Sequence, residues 1–186
     1  MEKQMDVELP DNLTLNYRGS GFEIVRKWLG WKTILLTVAA LFWDGVLLPF
    51  WYRAVFGSGD VTMAVVFFAL FHGTAGVGMT YAALAGWFNT TRIVVDQGKV
   101  TVRHGPVPWL GNKDLDATSF KKIYTEEVVY RSRHGTTVSF TVGAITVTGK
   151  DEKLVGGLEY EQAFIIEQEI ERHFHIEDAP VRDQIA

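Results

Sequence analysis

Asp44 and His72 are the ionisable side chains set deepest in two long apolar stretches, and that setting limits the chemistry open to them. Thr33 to Tyr52 reads TILLTVAALFWDGVLLPFWY, and Val61 to Phe88 reads VTMAVVFFALFHGTAGVGMTYAALAGWF. Asp44 is the one formal charge in both together. A carboxylate and an imidazole can share a hydrogen bond, relay a proton or ligate a metal, and an ionisable group inside a membrane is a functional candidate by default. Asp44 lies 12 residues before Phe56, and His72 lies 12 residues after Asp60. At 1.5 Å per residue each is about 18 Å from the outer surface, so antiparallel neighbours would hold them at one depth. Three uses stay open for this intramembrane pair. One is a structural Asp–His hydrogen bond that locks a hairpin, the second is contact with a partner subunit, and the third is a proton relay, metal or haem role. Haem would need a second axial histidine from another copy, and a metal would need more ligands than these two. No cofactor is expected.

Little other chemistry is written in the chain. It has 186 residues and no cysteine, which excludes disulfides, thiolate metal sites and cysteine nucleophiles. His104, His134, His173 and His175 show no ligand spacing on one face, and the last two close an acidic helix, where a dipole contact accounts for them. There is no nucleophile elbow, phosphate loop or recognisable carboxylate pair, so an enzyme is not expected. The net charge of −4 argues against nucleic acid, which needs a basic face.

The elements that carry Asp44 and His72 follow from length. About 20 apolar residues in a helix cross a bilayer, and both stretches reach that number. Two membrane helices are expected, over about 33–53 and 61–88. A polar segment, 1–32, precedes them. Its Leu13, Leu15 and Tyr17 alternate as a strand would. Phe22, Val25, Trp28 and Leu29 recur at helical spacing with Arg26 and Lys27 on the other side, which predicts a short interfacial helix over 22–31, with Trp28 and Trp31 at the headgroup level. An aromatic belt without a separate helix is the alternative. The first 30 residues are mixed in charge, so the first span is expected to be an uncleaved anchor. Pro49 can kink that span, Trp51 and Tyr52 form an outer belt, and Gly57-Ser-Gly-Asp60 is a turn with Asp60 as N-cap.

The second span carries Thr74, Gly78, Ala82 and Gly86 at every fourth position, with Ala69, Gly73 and Gly76 widening the small-residue face. Such a ridge lets helix backbones approach closely in lipid. It serves packing on the first span, and its length leaves room for a second copy or another membrane protein. Arg18, Arg26, Lys27 and Lys32 precede the spans, and Arg92, Lys99 and Arg103 follow them, so both termini are expected in the cytoplasm at the inner membrane.

After Phe88 the periodicity changes to two. Arg92–Asp96 and Val100–His104 read as strands around an Asp-Gln-Gly-Lys turn, followed by a loop over 105–112. Strands over 120–130 and 137–148 flank an Arg131-Ser-Arg-His-Gly tip, and Lys153–Val155 is short and extended. A helix from about Glu159 to His173 buries Ala163, Ile166, Ile170 and Phe174 and turns Glu159, Glu161, Glu167, Glu169 and Glu171 to water. The last residues, 176–186, read as a tail. The fold class is thus an α+β membrane protein, with a helical hairpin and then an antiparallel β-sandwich or open barrel, 91–175, capped by a C-terminal helix.

Two spans, then TRIVVDQGKVTVRHGP, a meander and a final helix, resemble the bacterial proteins that carry a pleckstrin-homology-like domain behind a transmembrane hairpin. The likeness covers about residues 33–175 and rests on element order and the GKVTVRHGP segment. It implies a membrane-tethered, non-enzymatic binding or scaffolding module. Residues 91–186 carry 12 Lys and Arg against 15 Asp and Glu, with Lys121-Lys122 and Arg131/Arg133 as the positive clusters. Arg131, Arg133 and His134 are therefore candidates for lipid or partner contact. The expectation is an accessory subunit docked on a larger membrane protein complex, with homo-oligomers open. The alternative is a self-associating sensor of lipid headgroups or envelope components.

Overall fold

Thr33–Tyr52 and Met63–Phe88 each lie in one unbroken helix, because in a run this apolar only intrahelical hydrogen bonds can satisfy the backbone. The computed structural model describes residues 9–57, 62–133 and 135–176. Helices α1 (Trp31–Phe56) and α2 (Met63–Phe88) are long and apolar enough to cross a membrane. Leu41, Phe42, Leu48, Phe67 and Phe71 lie exposed along them, unlike the side chains of a core helix. Pro49 sits inside α1, and the helix continues through it. Thr62, not Asp60, is the residue before α2; Asp60 and most of the expected turn lie outside the described residues, as does most of the expected tail.

The chain divides into two compact units. One consists of residues 27–90 and 105–109 and holds both helices. Among the described residues, the other holds nearly all of the β-sheet and a last helix. Strands β1 (Leu13–Arg18), β2 (Gly21–Lys27), β3 (Thr90–Asp96), β4 (Lys99–Gly105) and β5 (Lys113–Asp116) form one sheet in sequence order. Strands β6 (Phe120–Ser132), β7 (Gly135–Thr146) and β8 (Asp151–Leu158) form a second. Helix α3 (Tyr160–Phe174) follows. The β1–β2, β4–β5, β6–β7 and β7–β8 pairs are antiparallel, and among the described residues neither sheet closes as a barrel. Ile24, Ile93, Val100, Ile123, Val142, Leu154, Ile166 and Ile170 meet in one core shared by the two sheets and α3.

The strand expected at Leu13 to Tyr17 is present as β1. The interfacial helix expected over 22–31 is not formed, since Gly21–Lys27 is strand β2. Phe22 and Ile24, two apart, both enter the core. At Gly21 a Cβ would run into the Val95 carbonyl, so a glycine is what lets β2 lie against β3. Sheet pairing and burial outweigh the helical spacing of Phe22, Val25 and Trp28. At the β3–β4 turn both Gln97 (φ 44°) and Gly98 (φ 80°) are left-handed, as a two-residue hairpin with the native strand twist demands.

Helix α3 begins with a reciprocal cap between Glu159 and Gln162 and ends on His175 in the left-handed region. Gln162 is fully buried, and its amide donates to Asn12 Oδ1 at 2.8 Å. Glu169 does not face water as expected. It is buried, accepts a 2.8 Å hydrogen bond from the Tyr17 hydroxyl and pairs with Arg172 at 2.9 Å. Burial, with Glu169 beside it, raises the Tyr17 phenol above its ordinary value.

Candidate functional site

The candidate site lies between α1 and α2, and glycines set how closely those helices pack. A Cβ on Gly73 would strike the Trp51 ring, and one on Gly86 would strike Thr33 Cγ2 at 2.6 Å. A Cβ on Gly76 would strike the Asp44 carboxylate and lie 3.3 Å from Trp43 Cδ1. Ala69 and Ala83 are buried on the same side of α2. Two interhelical hydrogen bonds from tryptophans add direction. Trp43 Nε1 donates to the His72 carbonyl at 3.1 Å, and Trp87 Nε1 donates to Thr37 Oγ1 at 2.9 Å.

Asp44 and His72 do not pair with each other. Asp44 Oδ2 accepts from the Thr80 hydroxyl at 2.6 Å. His72 Nδ1 lies 3.0 Å from the Phe68 carbonyl, which can only accept, so Nδ1 carries the proton there. The His72 ring is stacked between Phe68 (centroids 3.9 Å apart) and Trp43 (5.6 Å). The depth estimate counted from Asp60, three residues before the start of α2. Because α2 starts at Met63, His72 is nine residues into its helix while Asp44 is twelve from the end of α1. That offset of three residues is about 4.5 Å, close to one turn. By the same count Ala75 is level with Asp44; its neighbour Gly76 faces the carboxylate, and the Thr80 hydroxyl reaches it from one turn further along α2.

The predicted small-residue ridge divides. Gly86 packs on Thr33, whereas Thr74 and Gly78 are exposed and Ala82 is half-buried. Nothing lies within 4 Å of a Cβ built on Gly78. The Thr74 hydroxyl turns back to the Leu70 carbonyl at 2.8 Å. Beside this uncovered part runs a groove of about 710 Å³, walled by Leu47, Leu48 and Trp51 of α1 and by Leu70, Val77 and Leu84 of α2, with Asp44, Thr74 and Thr80 also lining it. Thr80 and Trp43 were not singled out from sequence. The only signal for Thr80 was its position one turn beyond Gly76 on the face that meets α1.

At the other end of the helices, Trp28 packs edge-on against Trp109, with centroids 5.2 Å apart, and Trp109 stacks on Tyr81. The Tyr81 hydroxyl donates to the Pro108 carbonyl. Asn89 clamps the same loop from both sides, donating to the Val107 carbonyl at 2.9 Å and accepting from the Val107 amide at 2.7 Å. Trp31 opens α1 and is exposed, as is Lys27. Arg26 is placed elsewhere: its Nη2 donates to the Gly157 carbonyl at 2.7 Å within the sheet unit, and burial lowers its affinity for the proton.

In the sheet unit, Arg131 and Arg133 are exposed at the end of the β6–β7 ribbon, and His134 lies outside the described residues. Val129, Tyr130 and Val138 are exposed beside them. His104 Nδ1 meets Thr91 Oγ1 at 2.9 Å, while Asn112 Oδ1 accepts from the His104 amide at 2.7 Å. His173 packs on the ring of Phe22 at 5.5 Å. Among the described residues no three His, Asp or Glu side chains converge as a metal site. No protein-family model matches the chain, and no curated protein matches it either.

Proposed function

We propose that the chain is a membrane-anchored, non-catalytic accessory subunit that docks on a larger membrane protein complex. The supporting observation is the outer side of the hairpin, where the groove between α1 and α2 adjoins an uncovered small-residue surface at Thr74 and Gly78. Helices in lipid associate through close backbone approach, and that surface offers it to a third helix. The flanking Arg and Lys residues favour cytoplasmic termini in the inner membrane, which puts the sheet unit on the cytoplasmic side as a second contact surface. Its order of strands closed by α3 supports a pleckstrin-homology-like module, and that resemblance implies a binding or scaffolding role.

Mild-detergent extraction at native expression, followed by native gels and mass spectrometry, tests this reading. A partner in fixed ratio, lost in Gly78→Leu, is the expected result. Migration of the chain alone, or only with itself, rejects it. Ser58→Cys should label from outside with an impermeant maleimide, and labelling from the cytoplasm alone would invert the orientation. The ribbon tip favours one second reading, a sensor of anionic headgroups through Arg131 and Arg133 beside exposed Tyr130. Salt-sensitive binding of the chain to anionic but not neutral vesicles, abolished in Arg131→Ala/Arg133→Ala, would select it.

A further inference from the structure

We infer that the groove at Asp44 seats a transmembrane helix of a different protein, one that carries a lysine or arginine at mid-membrane depth. This rests on the accessory-subunit reading and names the chemistry of the partner. Asp44 is the one carboxylate in α1 and α2, and it stands near the middle of α1. Its Oδ2 has Thr80 as donor, while its Oδ1 faces Gly76, where there is no side chain. None of the ion pairs among the described residues involves Asp44. A carboxylate has room for about four donors, and one hydroxyl leaves most of that capacity unused. Charged groups at such depth are found paired.

The shape of the groove selects a helix. Along α2 its wall runs from Leu70 to Leu84, about 21 Å at the helical rise, which is most of a hydrocarbon core. Its lining is apolar apart from Asp44, hydroxyl groups and the Trp51 indole N–H, so an occupant must be long, apolar and basic at one point. A lipid ammonium sits at the headgroup level, not at this depth.

Charge excludes a second copy as that occupant. Another copy brings another Asp44 and no deep cation. Lys32 and Arg53 of α1 are 12 and 9 residues from Asp44, about 18 and 14 Å along the helix. His72 is held between Phe68 and Trp43, with Nδ1 engaged by the Phe68 carbonyl. The cation must come from another chain.

The test uses the full chain in neutral-lipid nanodiscs, labelled at Ser58→Cys, with synthetic Leu/Ala helices of about 20 residues. One peptide has a central lysine, a second a central leucine and a third a central aspartate. Energy transfer should report the lysine peptide binding about tenfold more tightly than the leucine peptide, with the aspartate peptide weakest. Asp44→Asn should abolish the lysine preference, and Asp44→Glu should keep it. Cross-linking of Thr33→Cys to Gly86→Cys checks that the Asn variant keeps its hairpin. Equal binding of the lysine and leucine peptides, or a lysine preference that survives Asp44→Asn, overturns the inference. Stronger association with a second labelled copy than with the lysine peptide also overturns it. A chain that co-migrates with a native partner yet shows no lysine preference keeps the accessory reading and loses this one.

Discussion

Replacing Gly76 with alanine puts one methyl group where the structure has Asp44, and the cost can be worked from the contacts. The new Cβ would strike the carboxylate and lie 3.3 Å from Trp43 Cδ1. Overpacking of this kind costs about 1–3 kcal/mol. Moving the carboxylate also strains the 2.6 Å bond from Thr80, and interhelical hydrogen bonds in membranes are worth about 0.6 kcal/mol on average. A loss of roughly 2 kcal/mol is a factor of about 30 in the packed-to-splayed ratio. Gly78→Ala is the matched control, because its Cβ meets nothing within 4 Å. The assay is proximity. The chain has no native cysteine, and a Cβ on Gly86 would be 3.2 Å from Thr33 Cβ, close to disulfide range. Oxidation of Thr33→Cys/Gly86→Cys across an SDS titration reads the point at which the helices part. Gly76→Ala should part at clearly lower SDS, and Gly78→Ala at the control value. Coincident midpoints for all three, or an equal shift in the two alanine variants, would refute the packing argued from these glycines.

Further outcomes are expected in the sheet unit. Burial, then the charges of Lys113 and Arg26, holds the His104 imidazole below its ordinary value. The unfolded chain therefore takes up the proton first as pH falls, so the contribution is complete above about pH 6.5 and is lost through the window down to the depressed folded value. Thermal melts between about pH 7 and about pH 5 should show that loss, and His104→Gln should flatten it. The Tyr124 phenol donates to Asp151 Oδ1 at 2.6 Å, and that bond pushes its pKa up to about 12. Tyr124→Phe should remove the most alkaline step from an ultraviolet titration, and an unchanged curve would reject the bond. Ile166 is fully buried, so Ile166→Ala should cost about 2–5 kcal/mol in denaturant melts of the whole chain. Gln162→Leu should cost about 1–3 kcal/mol by stranding Asn12, and Gln162→Glu should not restore the donor that Asn12 requires.

The long apolar runs were legible because a run of about twenty apolar residues meets its backbone hydrogen bonds within itself as a helix, and that constraint is local. The hairpin turn at Gly98 was equally local. Strand β2 was not, because Phe22 fits a period of 3.6 with Val25 and a period of two with Ile24. What decides between them is β3, some seventy residues later, with the Val95 carbonyl packed on Gly21. Glu169 looked solvated on its own helix, and only Tyr17, 152 residues away, shows why it is buried. Residue counting brought Asp44 and His72 to one level. Helix α2 begins at Met63, three residues after the Asp60 from which the count ran, and Asp44 meets Gly76 and Thr80 rather than His72.

Strand β6 is 13 residues long and lies at the edge of its three-stranded sheet. One row of its backbone donors and acceptors has no neighbouring strand within that sheet. An edge of this length is a template on which another chain can grow. Its most apolar run, Val128-Val129-Tyr130, is bounded by Glu126 and Glu127 on one side and Arg131 on the other, and Lys121 and Lys122 stand near its start. Charges placed this way oppose edge-to-edge growth of fibres whether or not a ligand touches them. Neutralising Glu127 and Arg131 together would leave the fold standing and shorten the shelf life of the protein in solution.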